Sequence, residues 1–488
     1  MAGKWLTLMA VFGLVPNVGA GQQFALPPNP PGAAGSNQDL TVPPVWGQIP
    51  SGSAGPAAYP PSVPRERQAP PGVTLAELEQ ASLACNPTLV QATMRIRAAE
   101  GDYRQSGLYP NPVVSYLGDE IGDENTAGFQ GMTVGQELVT AGKLRLGQAV
   151  AGQAIKQAQC AFQAQRLRVL TDVRTAFYDS LAAQQMVALY GQLVDIGQEG
   201  LQTTEKLLAG KEASRVDVLQ ARVEARSVAL QLQNARSQQA GTWRRLASVV
   251  GKPDMPLTPL AGNLEEQLPP LTWQEARSRL FAGSPELAEA QAGVQRAQCA
   301  LQQQLAQRVP NLQVQAGMAY DNSTGYNTAS ASIGVPLPIF NRNQGNITRA
   351  EAELTDARRD VERLQLQLQQ RLATAFQQFE SAWQQAEKYR GEILPDAGQS
   401  LKLTREGYRA GELNYLTLLT AQRTYFQVSL SYVQSLQSLH VSRAAIEGML
   451  LSGGLGPGAG PTAGPAVTAA AATPMVPAGG AAASAAGE

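Results

Sequence analysis

The side chains that most often carry out chemistry are scarce in this chain of 488 residues. It has one histidine, His440, three cysteines and no His-Glu-x-x-His pattern. A zinc site needs several histidine or cysteine ligands at short spacing, and covalent catalysis needs a nucleophile beside a base. Because neither pattern occurs, the sequence predicts no enzyme activity, no metal site and no cofactor. We expect His440 to lie on the surface of a helix.

The three cysteines, Cys85, Cys160 and Cys299, are too few for a disulfide scaffold. None directly follows the N-terminal apolar segment, so we expect no lipid on a mature N-terminal cysteine. Counted along the predicted helices, Cys85 and Cys160 lie at similar heights, roughly 39 and 33 Å from the first predicted β-hairpin. Cys299 lies at another level. These heights predict a disulfide between Cys85 and Cys160, with Cys299 free.

The overall charge argues against a nucleic-acid partner. The chain has 38 lysines and arginines and 39 aspartates and glutamates, which gives a formal net charge of -1. Proteins that bind nucleic acid generally present a strong excess of basic side chains. We therefore expect no nucleic-acid binding.

Both ends of the chain differ in composition from its middle. Lys4, an apolar run and small residues up to Ala20 predict a secretory signal peptide over residues 1–20. The apolar run is shorter than the roughly 20 residues that a spanning helix needs. Residues 21–72 are rich in proline and glycine, and residues 452–488 in alanine, glycine and proline. We predict that both of these stretches are disordered.

The stretch from Asn311 to Leu337 predicts a two-faced β-hairpin. Apolar residues alternate with polar or small ones in its first half, at Leu312, Val314, Ala316, Met318 and Tyr320. After a turn of Asp, Asn, Ser and Gly, the return strand alternates in the same way. A soluble sheet has such hairpins, but strands of about 9 to 11 residues also suffice to cross a membrane as part of a barrel.

The hairpin belongs to a duplicated unit. Asn86-Pro87 recurs as Ser284-Pro285, and Pro110-Asn111 as Pro310-Asn311, in each case after about 200 residues. The partner hairpin spans residues 111–138, and its turn is acidic. The predicted repeats are 73–260 and 261–451.

Each predicted repeat has the same order of elements. A first helix (75–107 or 273–308) precedes the hairpin, and a long helix, a short turn and a closing helix (215–250 or 415–450) follow it. Residues 143–209 contain no proline, and about 65 helical residues would form a rod of roughly 100 Å. Apolar residues at three-four spacing in this rod favour coiled-coil packing.

One proline and two glycines are expected to shape the long helices and the turns that follow them. Pro395 removes a backbone donor, so we expect it to kink the long helix of the second repeat, which runs from 346 toward 394. The turns that precede the closing helices contain Gly210 and Gly411, which are able to adopt positive φ after a helix.

Two hairpins cannot close a barrel, because four strands leave open edges, so several chains must share one. The motifs Pro336-Leu-Pro-Ile-Phe-Asn-Arg-Asn-Gln-Gly-Asn346, Gly107-Leu-Tyr-Pro-Asn-Pro112 and Glu392-Ile-Leu-Pro395 resemble those of TolC-like outer-membrane efflux proteins. They are most similar to the cobalt-zinc-cadmium resistance branch, and the resemblance covers residues 74–451.

This resemblance implies a mainly α fold with membrane β-strands. Each chain of a homotrimer would contribute four strands to one twelve-stranded transmembrane barrel, continued by a long α-helical coiled-coil barrel across the periplasm. The chain would lie in the outer membrane of a Gram-negative bacterium, in contact with its lipid. It would be the exit duct of a tripartite pump, bound through a periplasmic adaptor (membrane fusion protein) to an RND-type inner-membrane transporter.

The cargo stays open at this point. The resemblance favours export of heavy-metal cations, while a multidrug or type I secretion duct is the alternative within the family. The long helices alone would also permit a soluble periplasmic coiled-coil scaffold, although the two membrane-length hairpins disfavour it.

The resemblance also implies roles for residues at the periplasmic tip. Asp217 and Tyr408 match a carboxylate and a phenol that close the family's gate, although a helix-start carboxylate and a packing tyrosine would look the same. Thr417 and Thr420 stand where the family has a ring of acids. The cation-attracting constriction is therefore expected to be missing, or to be supplied by Asp217 and Glu412. The adaptor-contact turns are matched by Gly210, Lys211, Gly411 and Glu412.

Overall fold

The computed structural model describes residues 72–123, 127–211, 213–266, 268–410 and 412–456. The predicted signal peptide, almost all of the predicted N-terminal arm and the tail beyond residue 456 lie outside these ranges. The described chain is mainly helical, with one four-stranded antiparallel sheet.

The first helix of each repeat is two helices rather than the single one predicted. In both repeats the break lies at the residue before a proline, Asn86 or Ser284. A proline disfavours helical backbone in the residue before it but fits the first turn of a helix. Asn86 and Ser284 accept hydrogen bonds from the next helix as N-caps. The four helices are α1 (Leu75–Cys85), α2 (Pro87–Ser106), α5 (Trp273–Gly283) and α6 (Pro285–Ala306).

The long and closing helices of the first repeat have the predicted bounds. Helix α3 spans Lys143–Ala209, and α4 spans Arg215–Val250. The 67 residues of α3 correspond to a rod of about 100 Å. Helix α4 packs on α3, and these two helices are named the first coil.

The second rod is interrupted near Pro395, as expected. Helix α7 spans Gln344–Lys388, a π-helical turn spans Tyr389–Ile393, and α8 spans Leu394–Arg409. Proline has no backbone N–H and clashes with the preceding turn, which explains the change of hydrogen-bond pattern just before it. Helix α9, at Tyr415–Glu447, ends three residues before the predicted end at residue 450. It packs on α7 and α8 and forms with them the second coil.

The sheet joins the two hairpins in the order β1-β2-β3-β4. Its strands are β1 (Val113–Asp119), β2 (Phe129–Leu138), β3 (Leu312–Asp321) and β4 (Tyr326–Gly334). The central pair, β2 and β3, comes from different repeats, with Thr133 opposite Gly317. One antiparallel sheet therefore runs through both repeats.

Residues paired across the strands share a face, and the predicted two-faced pattern is confirmed. One face carries the apolar rows Val114, Val134, Ala316, Ala331 and Tyr116, Met132, Met318, Ala329. The other carries Ser115, Thr133, Gly317, Ser330 and Val113, Gly135, Gln315, Ser332, so the alternation is less strict in β1. Many apolar side chains of the first face are exposed, among them Tyr116 and Met318. Such a face requires an apolar environment outside the chain.

The buried core lies in the helical part. Val169 and Val173 of α3, with Leu246 and Leu264, are among its fully buried members. Residues 452–456, predicted as the start of a disordered tail, instead contact α3. The backbone N–H groups of Gly453 and Gly454 donate to the Asp172 carboxylate at 3.1 and 2.6 Å. A carboxylate that accepts two backbone donors holds this segment against the helix.

Candidate functional site

Two turns form the tip at the end of the helical coils. Gly210 ends α3 with φ -75°, and the next residue, Lys211, adopts the left-handed conformation with φ 64°. Gly210 therefore does not use the positive φ that glycine is able to adopt, because α3 continues its right-handed backbone through Gly210. Lys211 donates its backbone N–H to Leu208 at 3.0 Å and is exposed. Gly411 lies outside the described residues, and Glu412 beside it is exposed.

Asp217 is the third residue of α4 and forms a capping box with the N-cap Ser214. Its backbone N–H donates to Ser214 Oγ at 3.2 Å, and its carboxylate accepts from Ser214 N–H at 2.9 Å. These hydrogen bonds lower the pKa of Asp217. In this chain Asp217 thus acts as the helix-start carboxylate that was the alternative to a gate residue.

Tyr408 lies near Asp217 but is not bonded to it. Burial raises the pKa of Tyr408, and the charge of Asp217 raises it further. Within the described residues, no hydrogen bond joins the phenol to the carboxylate. The tyrosine ring instead packs edge-on against Tyr415, with ring centroids 6.2 Å apart. The proposed latch therefore stays a prediction.

Thr417 and Thr420 lie in the first turns of α9 and are exposed. The Thr417 hydroxyl donates to Asn414 Oδ1 at 2.9 Å, and the Thr420 hydroxyl donates to the Leu416 carbonyl at 2.8 Å. Both hydroxyl protons are engaged within the helix, and neither side chain carries charge. A constriction at this level that attracts cations would need charge from other residues.

An ion pair that sequence reasoning missed joins the two coils. Arg423 of α9 donates Nε to Glu224 Oε1 of α4 at 3.1 Å, and its Nη2 contacts Oε2. A second pair, between Arg222 and Glu205 at 3.2 Å, lies within the first coil. Glu224 and Arg423 are 199 residues apart in the chain, and no local pattern in either helix indicates that they meet.

A polar cluster lies where the sheet meets the helices. Lys143 Nζ donates to Asn311 Oδ1 at 2.6 Å, and Asn311 Nδ2 donates to Glu137 Oε1 at 2.7 Å. The Thr140 hydroxyl donates to the Pro310 carbonyl at 2.6 Å. Burial lowers the pKa of Lys143, against the opposing effect of Glu137. These bonds connect the exit of β2 with the entry of β3, and thus one repeat with the other.

A second polar cluster joins α3, α6 and α7. Glu286 accepts from Arg168 at 3.0 Å and from Arg371 at 2.5 Å. One turn further along α6, burial raises the pKa of Glu289 to about 7, with Arg168 lowering it and Glu286 raising it. The cluster is held between helices, where an unpaired carboxylate loses hydration.

His440 is buried, so its predicted surface position was wrong. Its ring stacks on Tyr178, with centroids 4.4 Å apart, and its Nε2 lies 2.9 Å from the Leu264 carbonyl. Burial lowers the pKa of His440. The segment around Leu264, between α4 and α5, covers this face of α9. The helical pattern alone did not reveal this contact.

The predicted disulfide is also wrong, because Cys85, Cys160 and Cys299 are all free thiols. Cys85 ends α1 beside Gly251, whereas Cys160 lies on the face of α3 toward Glu289. The predicted heights assume one unbroken first helix, whereas this stretch is two helices, α1 and α2, with a break at Asn86.

In the described ranges, no group of three or more His, Cys, Asp or Glu side chains is placed to hold a metal ion. Among the helices of those ranges, none combines the length and the apolar composition needed to cross a bilayer.

Comparison with protein families identifies the repeats. A family model described as "Outer membrane efflux protein" matches residues 78–252 and residues 276–450. The chain is 27% identical over 390 residues to the cobalt-zinc-cadmium resistance protein CzcC of Cupriavidus metallidurans, covering 80% of this chain and 92% of that protein. It is 26% identical over 289 residues to the pyoverdine export outer membrane protein OpmQ of Pseudomonas aeruginosa, covering 55% and 58%.

Solved structures share the fold. A structure of CusC, described in terms of transmembrane channel formation, matches with a TM-score of 0.66 at 19% identity, covering 78% of this chain and 92% of that one. The open state of the MtrE outer membrane channel of Neisseria gonorrhoeae matches with a TM-score of 0.64 at 18% identity, covering 78% and 89%.

Proposed function

Because the chain belongs to the outer membrane efflux protein family, we propose that it is the exit duct of a tripartite RND-type pump that exports heavy-metal cations. It is an outer-membrane efflux channel, and its helical part lies in the periplasm. We propose the cargo, the pump partners and assembly as a homotrimer.

The observation that carries the proposal is a single sheet with two open edges. Within the described residues, β1 and β4 each pair on one side only. Open strand edges are not satisfied in lipid, where every backbone N–H and C=O needs a partner. Pairing β4 of one chain with β1 of the next would remove the edges, and three chains would supply twelve strands. The polar face with Thr133 and Gln315 would then line a water-filled passage.

The helical layer has its open edges on the same sides. Helix α2 packs on α3, α3 on α6 and α6 on α7, so α2 and α7 are the outer members of this layer. Val90 and Met94 of α2 and Leu366 of α7 are exposed apolar residues there. One arrangement of neighbouring chains could therefore cover the edges of both the sheet and the helices.

The extent of the sequence matches supports a metal cargo. The relative named for cobalt-zinc-cadmium resistance matches 80% of this chain, whereas the one named for pyoverdine export matches 55%. A duct can pass a cation without coordinating it, so the proposal needs no metal ligands in this chain. Specificity would lie in the inner-membrane transporter.

The test is deletion of the gene in its host, followed by growth in Co²⁺, Zn²⁺ and Cd²⁺ and, separately, in organic drugs. We expect sensitivity to the metals, with resistance restored by the intact gene. Sensitivity to drugs alone would show that the metal cargo is wrong.

Fractionation tests the duct itself. We expect a heat-resistant trimer in the outer-membrane fraction. A monomer in the soluble periplasmic fraction would exclude the duct and favour the scaffold alternative.

A further inference from the structure

We propose that residues 335–340, named here the junction segment, anchor the protein in the periplasmic-side interface of the outer-membrane lipid. The segment reads Val-Pro-Leu-Pro-Ile-Phe and connects β4 with α7. The proposal rests on the outer-membrane location and adds a lipid-binding element that lies outside the strands.

The junction segment is unusually exposed for its composition. Phe340 is 90% exposed, the highest value among the exposed large apolar residues of the described chain, and Leu337 is 74% exposed. Val335 and Ile339, in the same segment, are exposed as well. Soluble surfaces rarely present so many neighbouring large apolar side chains, and such patches mark interaction sites.

The orientation of the segment favours lipid over a second copy of the chain. Ala329, Ala331 and Ile333 lie on the apolar face of β4, and the alternation continues through Val335 and Leu337. A neighbouring chain that pairs with the edge of β4 adds a strand in the plane of the sheet. Such pairing leaves this face uncovered, and the face points outward toward lipid.

The backbone of the segment suits a medium poor in water. Pro336 and Pro338 have no backbone N–H, so two donors that lipid could not satisfy are absent. The N–H of Ile339 donates to the Leu337 carbonyl at 2.9 Å. Three of the six residues therefore present no unpaired N–H group.

A polar network holds the far end of the segment in place. Gln344 Nε2 donates to the Phe340 carbonyl at 3.2 Å, and Asn343 Nδ2 donates to the Gln304 carbonyl of α6 at 2.8 Å. Asn341 Oδ1 accepts from the Asn343 N–H at 3.0 Å. The composition thus changes from apolar to polar between Phe340 and Asn341, which sets the level of the membrane boundary.

Arg342 lies just beyond this boundary. Its side chain is exposed. Lipid phosphates lie at this level of a bilayer, and arginine side chains next to apolar anchors pair with them. The aromatic ring of Phe340 and the guanidinium of Arg342 would thus contact the acyl boundary and the headgroups, respectively.

Tryptophan fluorescence tests the proposal in the full-length protein, reconstituted into phosphatidylethanolamine–phosphatidylglycerol vesicles that contain brominated lipid. Three variants are compared: Phe340→Trp, Ile333→Trp on the apolar face of β4, and Leu230→Trp, an exposed position on α4. Since the chain already has five tryptophans, the signal is the difference from the unsubstituted protein.

We expect bromine near the headgroup to quench Phe340→Trp several-fold more than Leu230→Trp, and bromine deep in the acyl chains to quench Ile333→Trp. If Ile333→Trp is quenched but Phe340→Trp behaves like Leu230→Trp, the anchor is wrong while the membrane duct stands. If neither Ile333→Trp nor Phe340→Trp is quenched, both the anchor and the duct are overturned.

Discussion

The Glu224 carboxylate of α4 and the Arg423 guanidinium of α9 form a two-contact ion pair across 199 residues of sequence. The pair joins the coil of the first repeat to the coil of the second, near the tip. Glu224 is largely buried, at 14% side-chain exposure, whereas Arg423 is 61% exposed. The pair therefore contributes to how the two coils are held together at the end where a duct would close.

Breaking this pair is expected to loosen the tip. Partly exposed ion pairs are worth up to about 1 kcal/mol each, so Glu224→Gln or Arg423→Gln should raise the open fraction of the channel by several-fold at most. The double reversal Glu224→Arg with Arg423→Glu should restore the original value. Single-channel recording in planar bilayers measures this. Glu205→Gln is the matched control, because its pair with Arg222 lies within one coil; an equal effect in that variant would contradict the prediction.

The proposed latch predicts that Tyr408→Phe and Asp217→Asn increase single-channel conductance, because each weakens a phenol–carboxylate contact of the closed tip. Ser214→Ala is the control, since it removes the capping bond to Asp217, at about 1 kcal/mol, and leaves the phenol intact. Unchanged conductance in both latch variants would show that Asp217 acts only as a helix cap.

Stability should depend on pH through Glu289. Burial raises its pKa from 4.5 to about 7, so the folded state retains a proton that the unfolded state releases. The stability that this proton contributes is complete below pH 4.5 and is lost as the pH rises through about 7. Glu289→Gln should therefore be more stable than the original protein at pH 8.5, by at most about 3 kcal/mol per chain, and should show less advantage at pH 5.5.

Chemical unfolding in detergent at both pH values measures this difference. Glu286→Gln provides the comparison, because that carboxylate bonds both Arg168 and Arg371 and its loss should destabilise the chain at either pH. An advantage of Glu289→Gln that does not grow with pH would contradict the assignment.

All three cysteines should react with an alkylating reagent without prior reduction. Cys85 is exposed and should react first. Cys160 should react slowly, because it is only partly accessible and burial raises its pKa, which lowers the fraction of thiolate. Mass spectrometry of timed samples measures the order, and a cross-linked peptide containing Cys85 and Cys160 would refute it.

The junction of sheet and helices should be sensitive to Asn311. Asn311→Ala leaves the buried Lys143 ammonium without its acceptor, at a cost of about 1.5 to 3 kcal/mol. Asn111→Ala is the matched control, because Asn111 is the equivalent residue of the first repeat and is exposed. Thermal unfolding of the two variants measures the difference, and equal midpoints would mean that the cluster contributes nothing to stability.

Much of the architecture was predictable from local patterns. The period of two predicted β2, β3 and β4, and the duplication added β1, whose own alternation is less clean. The absence of proline from 143 to 209 predicted the full length of α3. The duplication predicted that both hairpins belong to one kind of unit. These features depend on neighbouring residues, whose preferences act over a few positions and do not require knowledge of the fold.

Other features were decided by contacts between distant segments. His440 is buried because the connector around Leu264 covers it, and Cys160 faces α6 rather than Cys85. The Glu224–Arg423 pair exists because two coils meet side by side, and the Lys143–Asn311–Glu137 cluster exists because β2 pairs with β3. The sequence by itself determined the elements and their order, since local periodicity and backbone preferences set them. Only the tertiary structure decided which side chains lose water and which charges meet, because those outcomes depend on surfaces that come together from far apart in the chain.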